Sequence, residues 1–135
     1  MSSKQGKVWG TTTTVKSTSN FSLHRLFVKT GGVCSKHKHD FKFNGFFVEK
    51  GKLLIRIWKN DYNLIDETIL TSRDYTEAAP QEYHQFEALE DTVCYEFYFQ
   101  KPLAEDIVRE NHGSVNNKSQ AYFNGKVGQA AVSYA

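Results

Sequence analysis

The chain has 135 residues, and much that would place it in a specialised class is scarce. There are two cysteines, Cys34 and Cys94. They form no disulfide framework and no zinc-finger spacing, so reduced thiols in a cytoplasmic protein are expected. Two prolines and nine glycines are too few for a low-complexity or disordered chain. Charge of one sign is scarce as well: 17 Lys and Arg against 15 Asp and Glu leave +2. That excess gives no basis for nucleic acid or an anionic membrane as a partner. No apolar run approaches the roughly 18 residues of a membrane helix, and Met1–Lys7 lacks the apolar stretch of a signal peptide. There is no G-x-x-x-x-G-K-[ST] loop, no G-x-G-x-x-G after a strand and no G-x-S-x-G elbow. Nucleotide-driven chemistry and serine hydrolysis are therefore disfavoured.

Aromatic side chains are what the chain has in quantity: 10 Phe, 7 Tyr and 2 Trp. The length suits one domain with a real core. Residues 1–20 are polar and Thr/Ser-rich, and predict a tail or edge segment pinned by Trp9. From 21 to 101, apolar runs alternate with turn signals. The runs are 21–29, 45–49, 52–59, 63–70, 83–88 and 92–99, and short strands so punctuated indicate an antiparallel sandwich or barrel. Alternation puts Leu53, Ile55 and Ile57 on one strand face, and sets Cys94, Glu96 and Tyr98 against Val93, Tyr95, Phe97 and Phe99. Residues 102–135 hold a candidate short helix over 103–111 and then a C-terminal arm, anchored by Tyr122, Phe123 and Val127 or frayed.

The five histidines carry the chemistry. His37-Lys38-His39 puts two imidazoles on one face of a strand, an arrangement that suits a transition metal. A Gly-Gly turn precedes the pair, Asn44 and Gly51 follow it, and Pro80 leads to His84. Written out, this is Gly31-x5-His37-x-His39-x4-Asn44-x6-Gly51, then Pro80-x3-His84. The pattern resembles the cupins, whose first motif is G-x5-HxH-x3-4-E-x6-G and whose second is a Pro followed by a His. Asn44 stands at the Glu position. A closer likeness is to the cupin domain of type II mannose-6-phosphate isomerases. The pieces that carry it are Trp9-Gly10, Val28-Lys29-Thr30-Gly31, the Ser35–His39 stretch and Leu103-Ala104-Glu105-Asp106-Ile107-Val108-Arg109.

The resemblance implies an all-β cupin, a double-stranded β-helix or jelly-roll barrel, with His37, His39 and His84 as metal ligands and Asn44 as a candidate fourth. Two alternatives stay open. Asn44-Gly45 is also a favoured hairpin turn pair, and Glu82 could turn inward to supply a carboxylate ligand. Neutral donors leave the full charge on the ion, which favours Zn, Fe, Ni or Cu, with Mn also compatible with isomerase chemistry. His24 is expected at the core edge and Cys34 as a buried, inert thiol. Glu82 and Glu96 are the candidate catalytic bases. Lys42, Arg56, Tyr83 and Gln85 are candidate ligand anchors, and Arg109 matches the family's C-terminal arginine. The expected activity is that of a sugar or sugar-phosphate isomerase. The alternatives are a three-histidine Fe(II) dioxygenase and a non-catalytic ligand- or metal-binding cupin. The aromatic surplus supplies the core and the pocket mouth, and predicts a homodimer.

Overall fold

The computed structural model of the chain describes residues 3–59, 64–101 and 103–116. Two compact units divide it, Met1–Leu103 and Ala104–Ala135. The first holds nine strands: β1 (Ser3–Lys7), β2 (Gly10–Ser17), β3 (Phe21–Val28), β4 (Phe43–Lys50), β5 (Leu53–Trp58), β6 (Ile65–Leu70), β7 (Tyr75–Ala78), β8 (Tyr83–Ala88) and β9 (Thr92–Phe99). They form a six-stranded sheet, ordered β1-β2-β3-β9-β4-β7, and a three-stranded sheet, β6-β5-β8, with every pairing antiparallel. The loop after β3 extends the smaller sheet through single bridges of Val33 to Glu87 and His37 to His84.

Strand period two decides what faces inward. Leu53, Ile55 and Ile57 of β5 are buried, as their alternation predicts, and so are Phe86 and Ala88 of β8. They meet Leu26 and Val28 of β3, Phe46 and Val48 of β4, and Cys94 of β9 in one core, against which Trp9 packs. Gly51 turns β4 into β5 at φ +108°, a conformation that L side chains rarely adopt, and a Cβ there would run into Asp91 and Thr92. Thr92 ties the same turn down, accepting the Lys52 N–H at 3.1 Å.

Three expectations are corrected. Residues 103–111 form no helix. Leu103 and Val108 are almost fully exposed, so these apolar residues find no surface to pack on, and a short helix without packing is marginal. Asn44-Gly45 is not a turn but lies inside β4. Most of the aromatics are not core. Phe46 and Phe86 are, but Phe21, Phe99 and Phe43 form one cross-strand row, and Tyr95, Phe47 and Tyr75 another, on the outer face of the large sheet. The arm residues Tyr122, Phe123 and Val127 lie outside the described residues. Among the described residues, no helix is long and apolar enough to cross a membrane.

Candidate metal centre

The Pro80 turn sets the site. Glu82 N–H reaches the Ala79 carbonyl at 3.2 Å, with Pro80 second and Gln81 third at φ +74°, the pattern of a type II turn. Glycine is the usual third residue, and Gln81 is held there by its neighbours. Its N–H donates to the His39 carbonyl at 2.7 Å, and its side-chain amide donates to the Asp40 carbonyl at 3.1 Å. The turn is thereby fastened to the His37–His39 segment, and His84, the second residue of β8, stands directly opposite His37. The two exchange backbone hydrogen bonds of 3.1 and 2.8 Å. Directly opposed residues project to the same face, and His39 follows two positions after His37.

The three rings cluster, with centroids 4.6 to 5.3 Å apart. Their donor nitrogens all lie within 4.8 Å of one another. His37 Nδ1 is 2.9 Å from the Ser35 carbonyl, and His84 Nδ1 is 2.9 Å from the Glu82 carbonyl. A carbonyl only accepts, so each Nδ1 carries a proton, and in the neutral ring Nε2 is then a bare lone pair. Backbone carbonyls orient metal-ligating histidines in this way. His84 Nε2 faces Asn44 Oδ1 at 3.0 Å. The Asn44 amide orientation is fixed by its NH2, which donates to Glu96 at 3.2 Å and to the Gly45 carbonyl at 3.4 Å. Two lone pairs thus face each other, and the His39 Nε2 is buried without a hydrogen-bond partner.

Such an arrangement asks for a cation. A proton is the weaker candidate, because burial first, with help from Lys42 and the other two histidines, pushes His39 down to about 4. Burial likewise lowers His84. A metal suits these donors: the nitrogens, within 4.8 Å of one another, would draw closer to share one ion, on which neighbouring donors at about 2.0–2.1 Å stand roughly 3.0–3.4 Å apart. His37, His39 and His84 would hold it, with Asn44 Oδ1 as a fourth donor.

The Glu96 carboxylate is joined to this group through Asn44. It points inward from β9, opposite His24 of β3. It accepts hydrogen bonds from Asn44 and from the Tyr98 hydroxyl, the latter at 3.1 Å. Burial pushes its carboxyl above the usual range, while these two bonds pull the other way. Tyr98 lies edge-on to His39 and to His24, with centroids 5.4 and 5.5 Å away. Lys42 caps its face at 4.2 Å. Beside the histidines opens a cavity of about 750 Å3, walled by Trp9, Thr14, His24, His37, Glu96 and Tyr98 among others. That volume is in the range of small-molecule sites.

The other sequence candidates lie elsewhere. The Glu82 carboxylate does not turn toward the histidines: it accepts the Ala79 N–H and pairs with Lys59, both at 2.8 Å. Glu82 contributes its backbone carbonyl instead. Arg56 pairs with Glu67 and Glu87 on the outer face of the small sheet. There it also meets Gln85, whose amide reaches the Cys34 carbonyl. Tyr83 is on that outer side too, near Lys36 and Lys38. Arg109 is exposed in the second unit. Burial raises the Cys34 thiol to about 11, consistent with an inert cysteine. Tyr98 was not among the sequence candidates, although its parity with Cys94 and Glu96 places it inside.

No family model matches the chain, and no curated protein does either. Solved structures do. KdgF from Halomonas superposes with a TM-score of 0.64 at 17% identity, covering 74% of this chain and 87% of that one. The fold is that of the cupins. CapF, a capsular polysaccharide assembling protein of Staphylococcus aureus, gives a TM-score of 0.65 in its inhibitor complex at 20% identity over 76% of this chain. Bacillus subtilis oxalate decarboxylase, described with Mn(II) centres, gives 0.65 at 13% identity over 76%. The chain spans less than a third of the last two proteins, 31% and 28%. At these identities the likeness carries the fold alone. The chain thus combines a cupin fold with a three-histidine group that could hold a metal ion.

Proposed function

We propose that this cupin is a metal-dependent enzyme acting on a small polar molecule, a sugar or sugar-phosphate, by isomerase-type proton transfer. The observation that carries the reading is the Glu96 carboxylate, held in the cavity one side chain away from a cation-seeking cluster. A divalent metal bound there would polarise a carbonyl or a pair of hydroxyls. Glu96 supplies the base. Its raised pKa brings it nearer to neutrality, where a general base works best. Asn44 and Tyr98 hold its carboxylate in place. The aromatic walls, Trp9 and Phe86, exclude water from that side. The sequence likeness to type II mannose-6-phosphate isomerases supports the same chemistry. Purified protein is expected to hold about one equivalent of transition metal, and a His37→Ala/His84→Ala variant none. Loaded protein inert toward aldoses and ketoses and toward their phosphates would refute the isomerase.

The wholly neutral donor set favours a second reading, a three-histidine Fe(II) dioxygenase. Iron as the resident metal, with oxygen uptake dependent on it, would select this reading. A loaded protein with neither activity would be a binding module.

The outer face of the large sheet supports a homodimer. An antiparallel sheet with one face in water is normally polar on that face, whereas this one stacks Phe43 on Phe99 with centroids 5.1 Å apart. Four strands of eight residues and two shorter ones cover roughly 650 Å2, approaching the roughly 800 Å2 that one partner contributes to a standard interface. Light scattering at micromolar concentration should give twice the 15.5 kDa chain mass, and a monomer would sink this reading.

A further inference from the structure

β1 adds nothing to the core. All five of its residues are exposed, so none contributes apolar burial. Strand period two nevertheless turns Ser3, Gln5 and Lys7 to one side, and all three line the cavity beside the histidines. Thr12 of β2, directly opposite Gln5, lines it as well. Among the described residues, the side chains of these four have no hydrogen-bond or ion-pair partner. Other polar groups of the wall are engaged: Thr14 with His24, Ser35 with His37, and Glu96 with Asn44 and Tyr98. The wall that carries no stability is thus the one whose polar side chains are unspent.

Charge distinguishes the two ends of this one cavity. The cross-strand row Ser3, Thr14, His24, Glu96 runs from β1 to β9, and Asn44 joins Glu96 to His84. That is the histidine end. Lys7 lies four residues along β1 from Ser3, about 13 Å at the rise of a strand. It stands opposite Gly10, whose other partner is the core residue Val28. Of the residues that line the cavity, Lys7 is the one lysine or arginine and Glu96 the one carboxylate. A lysine ammonium is a compact charge with three donors on a flexible stem, and it suits an oxyanion. Gln5, next on the same face, adds an amide donor.

We infer that Lys7 sets the specificity of the site: it receives the terminal anionic group, a phosphate ester or a carboxylate, of a polyhydroxylated ligand whose other end lies at the histidines. This rests on the metal reading and deepens it. There the ion takes a carbonyl or a pair of hydroxyls, so the anionic group goes to the cavity's other cation. The ligand lies extended along β1, and the lysine stem spans the length it leaves.

The test is calorimetric titration of the zinc-loaded full chain at low salt with D-glucitol, D-glucitol 6-phosphate and D-gluconate. At least one of the two anions should bind about fivefold more tightly than glucitol, the upper worth of a charge pair open to solvent. The phosphate leading assigns a phosphate ester, and gluconate leading assigns a carboxylate. Lys7→Met should keep its metal equivalent and hold that anion no better than glucitol, while Lys7→Arg should recover most of the preference. Lys4→Met removes the same charge from the opposite face of β1 and should retain it. Glucitol binding as tightly as both anions would overturn the inference. So would a preference that survives in Lys7→Met, which would put the anion on the metal, or one that Lys4→Met loses equally. Failure of all three compounds to bind at millimolar concentration would overturn it too. Each of these results leaves the metal reading standing. Wild-type protein that takes up no zinc would overturn the metal reading, and this inference with it.

Discussion

The two ends of the barrel interior are built from the same strands and are chemically opposite. Along β3 the inward residues run Ser22, His24, Leu26, Val28, and across from them on β9 stand Tyr98, Glu96, Cys94 and Thr92. β4 changes from Asn44 to Phe46 and Val48, and β8 from His84 to Phe86 and Ala88. One end is a packed hydrocarbon layer. The other is a lattice of hydrogen-bonding groups around three imidazoles. The boundary falls at one residue pair per strand, so the apolar end can carry stability while the polar end carries chemistry.

This division can be broken from either side. Leu53→Ala, at the apolar end, should cost about 2–5 kcal/mol in denaturant unfolding, with metal stoichiometry unchanged in the protein that stays folded. His84→Ala should act the other way. Metal loading at a hundredfold excess over Kd should stabilise wild type by about 2.7 kcal/mol, and this gain, read as a thermal shift, should vanish in the variant. Asn44→Ala should lower metal affinity about 10–100-fold, measured by chelator competition, because it removes one donor and frees Glu96. Metal-free protein should also lose stability as pH falls from about 6.5 to about 4. The folded His39 pKa lies below its unfolded value, so the unfolded chain takes up the proton first and is favoured by acid. His39→Gln should flatten that slope in a series of thermal melts. The smallest effect belongs outside both ends. Arg25→Ala opens an exposed pair with Glu49, 3.9 Å long, and should change stability by less than about 1 kcal/mol.

What the sequence made legible follows this division. Long alternating strands such as β5 and β9 could be read because one face is strongly apolar. β1 and β2 could not, because Ser3–Lys7 is fully exposed and the Thr11–Thr14 run has no polarity contrast between faces. β7 is four residues long and only Ala78 is buried, too little for a pattern. At the site, motif spacing located His37, His39 and His84. It could not decide Glu82, because that residue closes the turn before β8 and strand parity does not apply to it. Arg56 and Tyr83 are polar residues of two strands beside the site, β5 and β8, and only the register shows that they face away. Tyr98 was hidden by company: in a run of Tyr, Phe and Val, parity alone separates an aromatic that walls a cavity from one that covers a sheet.

The edge of the large sheet has a consequence of its own. Among the described residues β1 pairs only with β2, so its outer backbone donors and acceptors offer a template for another strand. Lys4 and Lys7 lie on that short strand, and all five of its residues are exposed. A second copy adding itself antiparallel there would bring ammonium groups opposite one another, which is unfavourable. The two lysines act as gatekeepers against fibril-like growth, so a β1 with both replaced by threonine would be more prone to precipitate on concentration.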